Sequence, residues 1–173
     1  MIQTTSKHFR ILAVALSAKG FGFVVMEGQK MIVECGRRVA DGDKNAQSLA
    51  KAKKLLNFYR PDVLVLQDVE AKGSRRAPRI KTLNRQIKAM AEKHKIEVKL
   101  ISGKQLRSLL LGNPKGTKQE MAEMLAAQFP DELASRLPPK RKFGNSEDSR
   151  MDIFDAVGLA VAFRARQRDA WRQ

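Results

Sequence analysis

Cysteine is almost missing from this chain. Cys35 is the only one among 173 residues, so no internal disulfide can form, and a reducing compartment is the natural inference. Histidine is nearly as scarce: His8 and His94 cannot, with a single thiol, assemble a structural zinc site. Long apolar runs are absent too. The stretch from Ile11 to Leu16 follows Lys7 and Arg10 as a signal peptide would, but it is too short for that role. Nothing reaches membrane-spanning length, and a cytoplasmic protein without membrane association is expected. The segment Asn113-Pro-Lys-Gly-Thr-Lys118 lacks the full glycine pattern of a P-loop and reads as a helix-capping loop. No Ser/His/Asp or Cys/His arrangement, internal repeat or low-complexity block stands out. Negative charge is the last scarcity: 18 acidic residues face 34 lysines and arginines, a formal net charge of +16. That excess is spread along the chain, and a broad positive field attracts phosphate backbones by counterion release.

With 43% hydrophobic residues the chain can bury a sizeable core. One domain over 1–173 is expected, with its core at about 9–165 and a charged tail at 165–173. Phe9 to Leu16, Phe21 to Met26 and Met31 to Cys35 are apolar runs separated by turn residues, which predicts three consecutive antiparallel strands. From Asn45 the period becomes helical through Leu49, Ala52 and Leu56, until Arg60-Pro61 stops it. Val63-Leu-Val-Leu66 reads as a strand covered on both faces. An amphipathic helix over Ile80, Leu83, Ile87, Met90 and Ala91, and a strand from Val98 to Ile101, continue the α/β alternation. Thr117-Lys-Gln-Glu120 has the form of a capping box and opens a helix that Pro130 ends. Leu137 to Asp148 is a proline-containing basic loop, and the last helix begins near Asp152, with a frayed tail beyond Arg164. The order is β-β-β-α-β-α-β-α-α.

Against this basic background Asp152 and Asp155 stand at the head of the apolar stretch Asp152-Ile-Phe-Asp-Ala-Val-Gly-Leu-Ala-Val-Ala-Phe163. Carboxylates three residues apart share a helix face and can hold a hard divalent cation, although a solvated first helical turn has the same appearance. Two basic elements accompany them. Lys72, Arg75, Arg76 and Arg79 follow the central strand, where arginine forks suit phosphate oxygens. Lys140, Arg141 and Lys142 precede Phe143, whose ring could stack on an unpaired base or serve as a hydrophobic plug. Cys35 is expected as a small buried hydrophobe, and His94 as a partner of a helix C-terminus.

The strand Arg10-Ile-Leu-Ala-Val-Ala-Leu-Ser17 leading to Gly20-Phe-Gly-Phe-Val-Val25, the strand Pro61-Asp-Val-Leu-Val-Leu-Gln67 and the helix at Asp152 resemble, in this order, the ribonuclease H-like fold. Within it the chain looks most like the RuvC-type Holliday-junction resolvases, over roughly 9–165. The resemblance implies an α/β architecture with a mixed five-stranded sheet, three antiparallel strands followed by two parallel ones, flanked by helices. It implies a nuclease acting on branched DNA, a homodimer, and Mg2+ or Mn2+ held by four acids: one on the first strand, one ending the fourth, and two on the last helix. The helix positions match Asp152 and Asp155. The first-strand position falls on Ala15, and the fourth-strand position on Gln67, which offers only a neutral carbonyl oxygen. Asp68 is the leading substitute, at the carboxyl end of a strand, although alternation would turn it to the opposite face. Glu70, Glu147 and Asp148 are the others. Either such residues complete the cluster for magnesium-dependent cleavage, or the chain binds DNA without cutting it.

Overall fold

The computed structural model describes residues 8–172. Strands β1 (Arg10–Ser17), β2 (Gly20–Glu27), β3 (Met31–Val39), β4 (Val63–Gln67) and β5 (Glu97–Ile101) form one sheet in the order β3-β2-β1-β4-β5. The first three pair antiparallel, and β4 and β5 join parallel to β1, so the mixed five-stranded ribonuclease H-like sheet is observed. Helices α1 (Lys44–Tyr59) and α2 (Pro78–Lys93) cover one face; α3 (Gly103–Leu111), α4 (Lys118–Gln128), the short α5 (Pro130–Leu133) and α6 (Met151–Trp171) lie on the other side.

Alternation along β1 explains the two layers. Ile11, Ala13 and Ala15 pack beneath α6, while Leu12, Val14 and Leu16 pack beneath α1 and α2, and all six are buried. A strand apolar on both sides belongs in the middle, where β1 sits between β2 and β4. Helix α6 is apolar around its circumference from Met151 to Phe163, apart from Asp152 and Asp155, because the sheet lies under it and α3 and α4 lie over it. No helix among the described residues is long and apolar enough to cross a membrane.

Caps set the helix starts. Asp43 accepts from the Ala46 amide at 3.0 Å to open α1, and Thr117 with Glu120 forms the predicted capping box of α4. Helix α3 was not anticipated. It carries its own capping box, Ser102 with Gln105, and ends at Gly112 in the left-handed conformation. Two boundaries also differ from expectation. Strand β3 runs on past Cys35 to Val39, and α6 continues past Arg164 to Trp171. The tail is held because Arg164 donates to the Phe9 carbonyl at 3.3 Å and Arg166 to that of Leu100 at 3.2 Å. Cys35 is half-buried rather than enclosed, with an Arg136 Nη at 3.1 Å from its sulfur. Burial pushes its thiol pKa up, and the nearby Arg136 charge opposes that. His94 caps α2 as expected, with Nδ1 at 2.8 Å from the Met90 carbonyl oxygen.

Candidate functional site

Ladder register brings the site together. Ala15 stands opposite Gly22 on β2, and Gly22 stands opposite Arg37 on β3, so the three form one row across the sheet. Val14 pairs with Leu66 on the other side, which sets Gln67 beside Ala15 at the carboxyl ends of two parallel strands. By alternation Gln67 shares the α6 side with Val63 and Val65. The first turn of α6 rests on this row at Gly22, where a Cβ would stand 1.9 Å from the Asp152 carbonyl oxygen. Only a residue without a side chain permits that approach.

Each polar group at the site already has a protein partner. Asp152 accepts from the Ser17 hydroxyl at 2.8 Å and from Arg37 Nε at 3.2 Å. The Arg37 and Asp152 side chains are 20% and 13% exposed, so this pair is screened less than a surface salt bridge. Asp155, one turn on, receives Lys118 Nζ at 3.3 Å, and the same ammonium reaches Glu147 at 2.9 Å. Burial pushes the Asp155 carboxyl above its usual range; Lys118 opposes this, while Glu147 and Asp152 add to it. Burial works against the Lys118 charge, yet Asp155 and Glu147 outweigh it and hold that pKa above the ordinary lysine value. Gln67 accepts from an Arg76 Nη at 2.7 Å, and Arg76 also donates to the Leu16 carbonyl at 3.3 Å.

The other nominated acids are placed differently. Asp68 falls on the α2 side, in a recess with Asn84, Arg85 and Lys88, and accepts from the Glu70 amide at 3.2 Å. The strand ends without a bulge, so alternation decides the face and Asp68 does not join Asp152 and Asp155. Glu70 is paired with Arg85. Asp148 is bound by its neighbour Arg150, whose side-chain and backbone hydrogen bonds lower its pKa to about 2. Glu147 comes near through Lys118, and Asp148 lies within the electrostatic reach of Arg37. Among the described residues no group of three or more His, Cys, Asp or Glu is arranged to hold a metal.

The Mg2+ or Mn2+ centre implied by the resemblance therefore does not fit the donors present. Two-metal phosphoryl chemistry needs clustered anionic oxygens free to ligate. Here Asp152, Asp155 and Glu147 are matched by Arg37 and Lys118, and the Gln67 oxygen is taken by Arg76. A divalent ion would have to expel these cations. Of the two other nominated ligands, Gln67 lies on the α6 side with its oxygen on Arg76, and Asp68 lies on the opposite face, so neither stands as a free donor beside Asp152 and Asp155.

The basic elements divide. Arg76 and Arg79 are partly built into the structure, because Arg79 donates to the Asn45 side chain at 2.8 Å and to the Ala18 carbonyl at 3.2 Å. Lys72 and Arg75 are exposed. Lys140, Arg141 and Lys142 are exposed as well, and line a groove of about 680 Å3 with Lys118, Glu147, Asp148 and Met151. This groove abuts the head of α6. Phe143 projects fully into solvent and plugs nothing. Sequence reasoning missed Ser17, Arg37 and Lys118. Following the strand register from Ala15 through Gly22 would have found Arg37, whereas nothing local marked Lys118 except its place in a capping box.

No family model matches this chain, and no curated protein does. Solved structures do. The chain is similar to Thermus thermophilus RuvC at a TM-score of 0.66 and 14% identity, over 93% of this chain and 96% of that one. It is similar to T. thermophilus RuvC in complex with Holliday junction substrate at a TM-score of 0.68 and 14% identity, over 94% and 97%. It also resembles the yeast mitochondrial Holliday junction resolvase at a TM-score of 0.60 and 17% identity, over 94% of this chain and 80% of that one. These likenesses establish a RuvC-like fold.

Proposed function

We propose that this chain binds branched or otherwise structured DNA through a RuvC-like face and does so without two-metal phosphodiester cleavage. The observation that carries this reading is the pairing of the site's carboxylates with Arg37 and Lys118, together with Arg76 on Gln67. The net charge of +16 and the exposed Lys72, Arg75, Lys140, Arg141 and Lys142 around the site support nucleic acid as the partner. The junction-bound T. thermophilus RuvC supports branched DNA as its form. A homodimer suits a two-fold junction, and it belongs to the proposal on resemblance alone.

The test is binding and cleavage of a labelled four-way junction. No cleavage is expected in EDTA or in magnesium, magnesium should do no more than weaken binding as a competing counterion, and it should not raise the melting temperature. Magnesium-dependent strand scission by the purified chain would restore the nuclease reading. Replacing Lys140, Arg141 and Lys142 with alanine should weaken binding to every duplex sequence. Each lost phosphate contact should reduce the slope of log affinity against log salt by about 0.9. An unchanged slope in a salt titration would move the binding face elsewhere.

A further inference from the structure

We propose that the groove between α1 and β3, on the sheet face away from the acidic site, is a docking site for an acidic peptide segment carrying an apolar anchor side chain. The groove encloses about 520 Å3 and is lined by Glu34, Arg38, Lys51, Lys54, Leu55, Phe58 and Tyr59. Its apolar part arises from the helical spacing of α1. Leu55 is buried against the sheet, but Phe58, three residues on, is 79% exposed and meets Tyr59 edge-on at 4.8 Å. On β3 the residue between Glu34 and Arg38 on this face is Gly36, whose missing side chain opens the groove toward the Phe23 ring. Arg38 lies over that ring at 4.5 Å. An aromatic left this exposed beside a recess is a candidate anchor point.

Charge selects the occupant. Arg38, Lys51 and Lys54 stand against the single acid Glu34, so the rim favours carboxylates. A second copy carrying +16 would bring like charge to the same rim. A nucleic-acid strand wants an uninterrupted track of cations, which Glu34 breaks, and the walls between the charges are apolar. Sheet extension is also disfavoured. Arg136 occupies the Cys35 carbonyl at 3.1 Å and Lys51 that of Val39, and these contacts blunt the edge of β3. The occupant therefore sits in the groove, with its apolar side chain against Phe58 and its carboxylates at Lys54 and Arg38.

The experiment is fluorescence anisotropy with the full chain and a labelled peptide of about twelve residues, aspartate-rich around a central leucine and phenylalanine. This peptide should bind. Exchange of its aspartates for asparagine, or of its leucine and phenylalanine for alanine, should weaken binding by roughly tenfold, as should Lys54→Glu or Phe58→Ala in the protein. Melting temperature and junction binding should stay unchanged in both variants, which separates this site from the DNA face. Peptide binding indifferent to these substitutions overturns the proposal. So does an oligothymidylate that displaces the peptide and itself loses affinity on Phe58→Ala, which would make the groove a nucleic-acid site. A wild-type dimer seen by light scattering and dissolved by Phe58→Ala would assign it to a second copy, and overturns the proposal equally.

Discussion

Gly22→Ala is expected to destabilise the protein by at least about 3 kcal/mol, near the upper end for overpacking and enough to threaten folding in a marginally stable chain. The new methyl carbon would stand 1.9 Å from the Asp152 carbonyl oxygen and 2.2 Å from its carbon. Both are backbone atoms and no side chain can swing aside, so α6 must lift from the sheet or β2 must bend. Gly36→Ala is the control. Its Cβ would meet the Phe23 ring at 3.4 Å and an Arg38 Nη at 4.0 Å, both ordinary contacts with side chains, and the cost should stay below about 1 kcal/mol. Urea denaturation of the two variants checks the difference. Equal stabilities would mean that α6 does not dock on the Ala15, Gly22 and Arg37 row, and the geometry of the acidic site would fall with it.

That row marks the limit of what the sequence made legible. Continuous apolar runs reported β1, β2 and β4, because strands covered on both faces need no polar side, and helical spacing reported the amphipathic helices. The fold followed from their order. Helix α3 carries no apolar pattern at its start, because its first apolar side chain, Leu106, comes only after the Ser102 and Gln105 capping box, which is the one local signal there. The extension of α6 to Trp171 depends on Arg164 and Arg166 reaching carbonyls at Phe9 and Leu100, contacts distant in sequence that no local pattern reports.

The site was legible in its acids and illegible in its cations. Asp152 and Asp155 announce themselves by spacing, and Ala15 and Gln67 only through the pattern of the family that the sequence resembles. Whether Asp68 compensates is a question of side-chain direction, which alternation answered against it. Arg37 and Lys118 lie 115 and 37 residues away from the carboxylates that they hold. In a chain with 34 basic residues, composition cannot indicate which of them turn inward. The uncharged Ala15 and Gln67 and the inward cations Arg37 and Lys118 fit one another electrostatically. With uncharged residues at those two positions, arginine and lysine can approach Asp152 and Asp155, and the carboxylates stay paired as burial requires.

Lys118→Met tests that exchange directly. Removing the ammonium leaves Asp155 and Glu147 facing each other without their shared cation. Stranding a fully buried charge costs about 3–5 kcal/mol. Lys118 and Asp155 are 45% and 20% exposed, so solvent screening reduces the expected loss at neutral pH to about 1–2 kcal/mol. The pH dependence carries the diagnosis. Asp155 already titrates above its unfolded value, and in the variant it loses the partner that opposed this shift. For an acid whose folded pKa is raised, the folded state binds more protons through the window between the unfolded and folded values. Stability therefore falls as pH rises through that window and is regained as pH falls. The deficit of Lys118→Met should accordingly shrink as pH falls through the raised range in which Asp155 takes up its proton. Wild-type protein should show the complementary loss at the alkaline end, as pH rises above the ordinary lysine value toward the raised pKa of Lys118. Adding Asp155→Asn to Lys118→Met should recover much of the neutral-pH stability, since an amide tolerates burial without a counter-charge. Thermal melts of the three proteins from acid pH to about pH 11 read this out. A deficit independent of pH and unrelieved by Asp155→Asn would mean that Lys118 serves only to pack the head of α4, and that the carboxylates of α6 are not held by it.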